Sequence, residues 1–368
     1  MRPSAVEAML PYLTEQFANP SGSHQLARKA RRAVDDARGA VAGVIGCGAC
    51  DVVFTGGGTE GDNAVLTGAV MRRPGRPVCS VAEHHAVLHV VERHRGVMVA
   101  VDELAHIDVD ALGEHVDDTT PVVSVMAVNN EVGTVTDMAV VSALVRERAP
   151  QAVLHTDAVQ ASGWLDLPSL WSSVDALTIS AHKFGGPKGV GVMALRRGAA
   201  VTPFIIGGGQ ERDRRSGTHN VAGIVAASTA LVEADRMRTT DAARIGALRD
   251  RLVTGLRAVD GVHETVPAAA KVPGAAHVLV EGVESEALLY MLDEEGVCAS
   301  AASACASGAM EPSHVLGAMG VPGHLSSGAL RLTLGHSTTD ADIDQAIEVI
   351  TRVVTTLRTR TRAHASAP

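Results

Sequence analysis

Short runs of consecutive apolar residues alternate along this chain with longer stretches in which apolar positions recur every three or four residues. The segment LARKARRAVDDARGAVAGV, within residues 25–44, sets Ala, Val and Leu among charges at helical spacing and predicts an amphipathic helix. The period then changes. DVVFT (51–55) is a short apolar strand, GGGTEGDN a glycine turn, and NAVLTGAVMRR a helix. The same alternation recurs in PVCSV with EHHAVLHVVERH, in VMVAVDE, in PVVSVMAV with NNEVG, in AVLHTDAVQ, and in VDALTIS with a glycine turn and VGVMAL. Nearly continuous apolar strands interleaved with helices predict an α/β fold, a mostly parallel sheet with helices on both faces. Ligands in such sheets bind beyond the carboxyl ends of the strands, where TEGDN, EHH, NNE, DAVQ and SAHK fall.

Past ERDRRSGTHN (211–220) the pattern predicts two long helices, VAGIVAASTALVEADRM and DAARIGALRDRLVTGLRAV. A second set of elements follows: AAHVLVEG, the helix ESEALLYMLDEEG, a short strand VCAS, then ALRLTLG and a last helix from about residue 340. The expected division is a large domain over 1–237 and a smaller α+β domain over 238–368, with residues 1–15 able to pack on the small domain.

A 368-residue chain that is 46% hydrophobic carries enough apolar material for a large core and a second lobe. No apolar run reaches the roughly 20 residues that cross a bilayer, so no membrane contact is expected. Net charge of −9 and only 2% aromatic residues argue against direct nucleic-acid binding. The basic tail RTRTR (358–362) reads as a solvated helix end. Five cysteines, Cys47, Cys50, Cys79, Cys298 and Cys305, are few and odd in number, which fits a reducing compartment and makes the cytoplasm the default. CGAC (47–50) lacks a second pair for tetrahedral zinc, so no metal is expected and a plain turn is the reading; Cys79 and Cys298 are expected in strands as core residues.

One lysine stands out. Lys183 sits between a histidine and a glycine turn, directly after the apolar strand VDALTIS, where a lysine ordinarily snorkels to solvent. In a desolvated pocket its amine instead has a lowered pKa and can join an aldehyde cofactor covalently. A pyridoxal phosphate site also needs a carboxylate facing the pyridine nitrogen and donors around a phosphate. Asp157, at the end of the strand in HTDAVQ, suits the first need, the alternative being a helix cap. Gln160 lies within reach of the same ring, or faces solvent. GGGTEGDN, with Thr59 and a helix start behind it, suits the second need, though a glycine turn after a strand is by itself a weak signal. Arg331 taken alone is a strand residue paired with an acid, and Cys305 taken alone a small buried hydrophobe.

FTGGGTEGDN, EHHAVL, NNEVG, HTDAVQ, SAHKFGGPKGVG, GGGQERDRRSGTHN, SACASGAMEPSHVLGAMG and LRLTLG follow one another in the order and spacing of a known family. Over residues 19–350 the chain resembles the iron-sulfur-cluster type (NifS/IscS-like) cysteine desulfurases, class V aminotransferase-like pyridoxal phosphate enzymes of fold type I. The resemblance implies that Lys183 binds the aldehyde of pyridoxal 5'-phosphate, Asp157 pairs with its ring nitrogen, Gln160 meets its ring hydroxyl and His84 stacks on the ring. It implies phosphate contacts from Thr59, Ser180 and His182, with Thr218 reaching across from the second subunit of a homodimer with shared active sites. Asn130 and Arg331 would clamp the α-carboxylate of L-cysteine, and Cys305 would take its sulfur as a persulfide for an acceptor protein, leaving L-alanine. The chain starts at RPSAVEAM, later than the opening strand that family members carry, and departs from the pattern at Gly57, Gly61 and Ala181. Two alternatives stay open: selenocysteine lyase or another β-elimination on the same scaffold, and a cofactor-poor scaffold for sulfur-carrier proteins.

Overall fold

The computed structural model describes residues 1–301 and 313–365, with side chains through 360. In chain order the first elements are α1 (Pro3–Leu13), α2 (Gln25–Ile45), β1 (Val52–Thr55), α3 (Gly58–Arg72), β2 (Val78–Ser80), α4 (His85–Arg93) and β3 (Val97–Val99). Then come α5 (Val109–His115), β4 (Val122–Ser124), α6 (Met138–Arg148), β5 (Val153–Asp157), α7 (Leu167–Ser173), β6 (Ala176–Ser180) and β7 (Gly191–Leu195). After α8 (Val221–Arg257) follow β8 (Val262–Glu264), β9 (Ala275–Val280), α9 (Ser285–Glu294), α10 (His314–Ala318), α11 (Gly323–Ser326), β10 (Ala329–Thr333) and α12 (Asp340–Ala365).

The strands β1 to β7 form one sheet in the order β1-β7-β6-β5-β4-β2-β3. Its β6, β5, β4, β2 and β3 run parallel, while β7 is antiparallel to both its neighbours. Every residue of β1, β5, β6 and β7 is buried. Successive strand residues face opposite sides, so burial at every position means cover on both faces, which is why these strands read as continuous apolar runs rather than as alternations. On one side Val65, Leu66 and Ala69 of α3 and Val87, Val90 and Val91 of α4 pack with Val53, Val122, Val153, Ala176 and Met193 of the strands. Glycine lets α3 approach closely: a Cβ on Gly61 would lie 2.6 Å from the Thr178 methyl of β6.

The chain separates into two compact units. The first comprises Met1–Val99, Ile107–Val128 and Thr136–Arg238; the second Ala100–His106, Asn129–Val135 and Thr239–Pro368. The second unit holds an antiparallel sheet in the order β10-β9-β8, and its α9 packs on α12. The loop 129–135 joins that sheet's surroundings through a bridge between Thr134 and Lys271, whose ammonium is paired with Glu264 at 2.9 Å.

Three expectations need correction. The two helices expected after residue 220 are one: α8 runs unbroken for 37 residues, because the polar stretch RTTD holds neither Gly nor Pro and nothing there stops the hydrogen-bond ladder. Residues 1–15, read as able to pack on the small domain, make bonds within the first unit. The Arg2 guanidinium donates to the Phe184 carbonyl (3.1 Å) and to Glu233 (2.8 Å), and Ser4 bonds Glu233 as well. VCAS is not a strand; only Ser300 bridges Arg331, and Cys298 is exposed rather than core. Arg358 of the basic tail is not merely solvated, since it donates to the carbonyls of Asp260 and Glu281. The CGAC segment is a turn, where burial pushes the Cys47 thiol up to about 12.

Among the described residues no helix is long and apolar enough to cross a membrane, and no group of three or more His, Cys, Asp or Glu is placed to hold a metal ion.

Candidate active site

The β1–α3 turn is built around its glycines. Gly57, the residue before α3, has φ 155° and ψ −175°, a conformation essentially reserved for glycine. A Cβ on Gly58 would lie 2.7 Å from Val159 Cγ2. The backbone therefore lies bare along a cavity of about 640 Å³ lined by Gly56, Gly57, Gly58, Thr59, Glu60, Asn63, Ser180, His182, Lys188, Gly189 and Phe204. The N–H groups of the first turn of α3 have no intrahelical partners and favour an anion here. Glu60 would oppose one, but its carboxylate accepts from Gly56 N (2.9 Å) and from Arg215 (2.8 and 3.1 Å), which neutralises it.

Ser180 ends β6, and its Oγ lies 3.0 Å from His182 Nδ1. His182 and Lys183 occupy a 3₁₀ turn after the strand. Partial burial first, then the Lys183 and Lys188 charges, lower the His182 pKa, so this ring is neutral and hydrogen-bonding rather than cationic at pH 7. Lys183 itself is exposed in the single chain.

Asp157 ends the neighbouring strand β5 and is buried. Its Oδ1 accepts from the Val159 N–H at 2.8 Å. Burial raises its pKa to about 6, while the Val159 bond and the Lys183 charge pull the other way. Asp157 and Lys183 thus share one electrostatic neighbourhood, as acid and amine on adjacent parallel strands with ends at the same edge. Behind Asp157 lie two more buried acids. Glu83 accepts from Met126 N at 2.6 Å, and Asp62 of α3 is 3.6 Å from His155 Nε2. Burial lifts both well above the usual carboxylate range, and the Asp157 charge adds to it. His155, held between Ser124 (2.8 Å) and Thr178 (3.0 Å), is pushed down to about 3 by burial and stays neutral.

His84 caps α4: its Nδ1 accepts from the Ala86 N–H at 3.1 Å, which leaves the ring proton on Nε2. Gln160 is half-buried in the turn after β5, and Thr218 is exposed in the loop before α8. Asn130 and Arg331 meet within the second unit, where the guanidinium donates to the Asn130 carbonyl and to Ser300 Oγ, both at 3.2 Å. Both acceptors are neutral oxygens, so the cation keeps its appetite for a carboxylate. Cys305 lies outside the described residues.

The donor set suits a phosphorylated pyridine aldehyde: bare backbone N–H groups with Thr59, Ser180 and His182 for a phosphate, an amine for the aldehyde, and a buried acid that a ring cation would ionise. The sequence did not single out Lys188, Asn63 or Phe204 as cavity residues. Lys188 carried a signal, five positions after Lys183 in the same glycine-rich stretch; Phe204 carried none, since the chain brings it there from a loop 21 residues beyond Lys183.

Comparison with known proteins places the chain in a family. The family model "Aminotransferase class-V" matches residues 1–346. The protein named Cysteine desulfurase IscS of Methanosarcina thermophila is 38% identical over 97% of this chain and 90% of its own length. Cysteine desulfurase of Cereibacter sphaeroides is 41% identical over 97% of this chain and 94% of its own. A solved structure titled NIFS-like protein superposes with a TM-score of 0.90 at 32% identity, covering 97% of this chain and 96% of that one. The fold is accordingly that of fold type I pyridoxal phosphate enzymes, and the chain belongs to the class-V aminotransferase family.

Proposed function

We propose that this chain is a pyridoxal 5'-phosphate-dependent cysteine desulfurase, which converts L-cysteine to L-alanine and passes the sulfur, as a persulfide on Cys305, to an acceptor protein. The observation that carries the reading is the junction of a glycine-built anion cradle with Lys183 and the buried Asp157 at neighbouring strand ends. The resemblance of the motifs and the full-length kinship with named cysteine desulfurases support it.

When bound, the cofactor supplies a ring that accepts the electron pair left by removal of the substrate α-proton. Thr59, Ser180, His182 and the α3 amides would hold its phosphate, with Thr218 contributed by a second copy in a homodimer. His84 would flank the ring, Asp157 and Gln160 would hold its polar edges, and Lys183 would hold the aldehyde and serve as the base that takes up the substrate α-proton. Arg331 and Asn130 receive the α-carboxylate. The Cys305 thiolate bonds to the substrate sulfur as the Cβ–S bond breaks, and that bond's electron pair stays on the three-carbon fragment, which takes a proton at Cβ and regains one at Cα to become alanine. The cytoplasm suits this role, since the described cysteines are all free thiols.

Incubation with L-cysteine tests the proposal: the wild type forms alanine together with a persulfide on Cys305 by mass spectrometry, and Cys305→Ala forms neither at the wild-type rate. Alanine production that survives Cys305→Ala undiminished refutes the assigned nucleophile, and selenocysteine turnover that survives it favours the lyase alternative.

A further inference from the structure

The loop before α8 has an unusual backbone. Glu211, Arg212 and Asp213 are three consecutive residues with Cβ atoms in the left-handed region, at φ 49°, 57° and 63°. Single left-handed residues of these types are uncommon and disfavoured; three in a row persist only where surrounding contacts over-determine them. Those contacts converge on one carboxylate. Glu211 accepts from both Arg38 terminal nitrogens at 2.6 Å, from the Phe54 N–H at 2.9 Å, and lies 2.6 Å from His219 Nε2. Arg38 also donates to the Val52 carbonyl at 2.9 Å and stacks over the Phe54 ring. Both ion-pair partners are buried, in α2 and in the loop, 173 residues apart.

The rest of the turn is braced around one exposed position. Ser216 N donates to the Ile205 carbonyl, Gly217 N to Gln210 Oε1 at 2.8 Å, and Arg215 is paired with Glu60 of the anion cradle. His219 is tied to Glu211, and between Gly217 and His219 stands exposed Thr218. Ile206, 84% exposed, and Phe204, 47% exposed, belong to the segment paired with this turn, an apolar surface that a second copy of the chain would cover.

We propose that Glu211, clasped by Arg38 and His219, is a positioning residue that locks the strained turn so that Thr218 is presented to the cofactor phosphate of a second copy. This rests on the functional reading above, which assigns Thr218 to that phosphate. The fully satisfied carboxylate is what makes the turn rigid: four donors fix Glu211, and the left-handed residues follow from its fixed place.

The experiment compares dissociation constants for pyridoxal 5'-phosphate and for pyridoxal, which lacks the phosphate, in the full-length protein, read by the visible absorbance of the bound cofactor. Thr218→Val sets the benchmark for a lost phosphate contact. His219→Ala, at a half-buried position, is expected to weaken pyridoxal phosphate about tenfold while changing pyridoxal less than about twofold, and to add little on top of Thr218→Val. Glu211→Gln is expected to act in the same direction, and His219→Ala keeps the test open if that buried change fails to fold. Mixed dimers separate the subunits. A His219→Ala protomer paired with a Lys183→Ala protomer retains normal affinity at its lysine-bearing site, whereas a wild-type protomer paired with a doubly substituted one is weakened. Equal loss of both ligands, or a defect that follows the protomer carrying Lys183, overturns the proposal. A wild type that binds neither ligand instead refutes the cofactor reading beneath it.

Discussion

A carboxylate proposed to face a cation is most informative before that cation arrives. Asp157 is raised to about 6 from an ordinary 3.8, chiefly by burial, so the folded cofactor-free protein holds its proton more tightly than the unfolded chain does. The linkage has a definite sign. This group's stabilising contribution is complete below about pH 4 and is lost as pH rises through 6, a change on the order of 3 kcal/mol. Asp157→Asn in the cofactor-free protein is therefore expected to raise the melting temperature at pH 7 and to flatten its decline between pH 4 and 6, even as it weakens cofactor binding. Thermal unfolding across that range checks it, and a variant no more stable than wild type at pH 7 contradicts it. At this scale much was legible in the sequence. Lys183, Ser180, His182 and Thr59 sit in contiguous motifs whose spacing along a strand end decides where they go. Glu211 was not legible as a clasp, because its partner Arg38 is a helix residue indistinguishable in sequence from its basic neighbours Arg31 and Arg32.

Among the elements, the start of α3 carries the greatest local demand. Gly57→Ala places a Cβ at φ 155°, where alanine is strained by about 1 to 3 kcal/mol, without removing any hydrogen-bonding side chain. The expected result is a lower melting temperature and weaker binding of pyridoxal phosphate with pyridoxal less affected; denaturation and titration of both ligands decide it. The strand–turn–helix pattern predicted this element because period and glycine content change together there. The α8 join was misjudged for the opposite reason. Thr239, Thr240 and Asp241 look like a helix start, yet a polar cap residue only permits a start and does not impose a stop on the helix before it. Cys298 failed similarly, since β-propensity in VCAS cannot supply a neighbouring strand, and only Ser300 finds one in Arg331.

At the scale of the molecule, distant parts of the chain hold the turn that follows the candidate lysine. Arg2 is buried; its backbone N–H donates to Gly185, and its guanidinium to Phe184 and Glu233, joining residues 182 and 231 positions away. Arg2→Ala leaves the Phe184 carbonyl without its donor and is expected to cost roughly 2 kcal/mol. It should also loosen cofactor binding through the turn just after Lys183, whereas Arg2→Lys restores part of the ion pair and less of the carbonyl contact. Urea denaturation of both variants checks the order. No sequence pattern announces such a contact, because it depends on which termini the finished fold brings together. The α/β class, by contrast, was readable throughout, since strands buried on both faces leave uninterrupted apolar runs.

The three acids at the pocket end of the sheet, Asp157, Asp62 and Glu83, have a further consequence for ligand uptake. Around pH 5 Asp157 is largely protonated, and a pyridinium arriving opposite it, as proposed, would expel that proton into the medium. Calorimetric titration near pH 5.5 in two buffers of different ionisation enthalpy should therefore give different apparent heats, and the gap should narrow in Asp157→Asn, the remainder coming from the phosphate, whose second proton has a pKa of about 6. The site beside Asp157 would swap one positive charge for another and keep the same local net charge before and after loading.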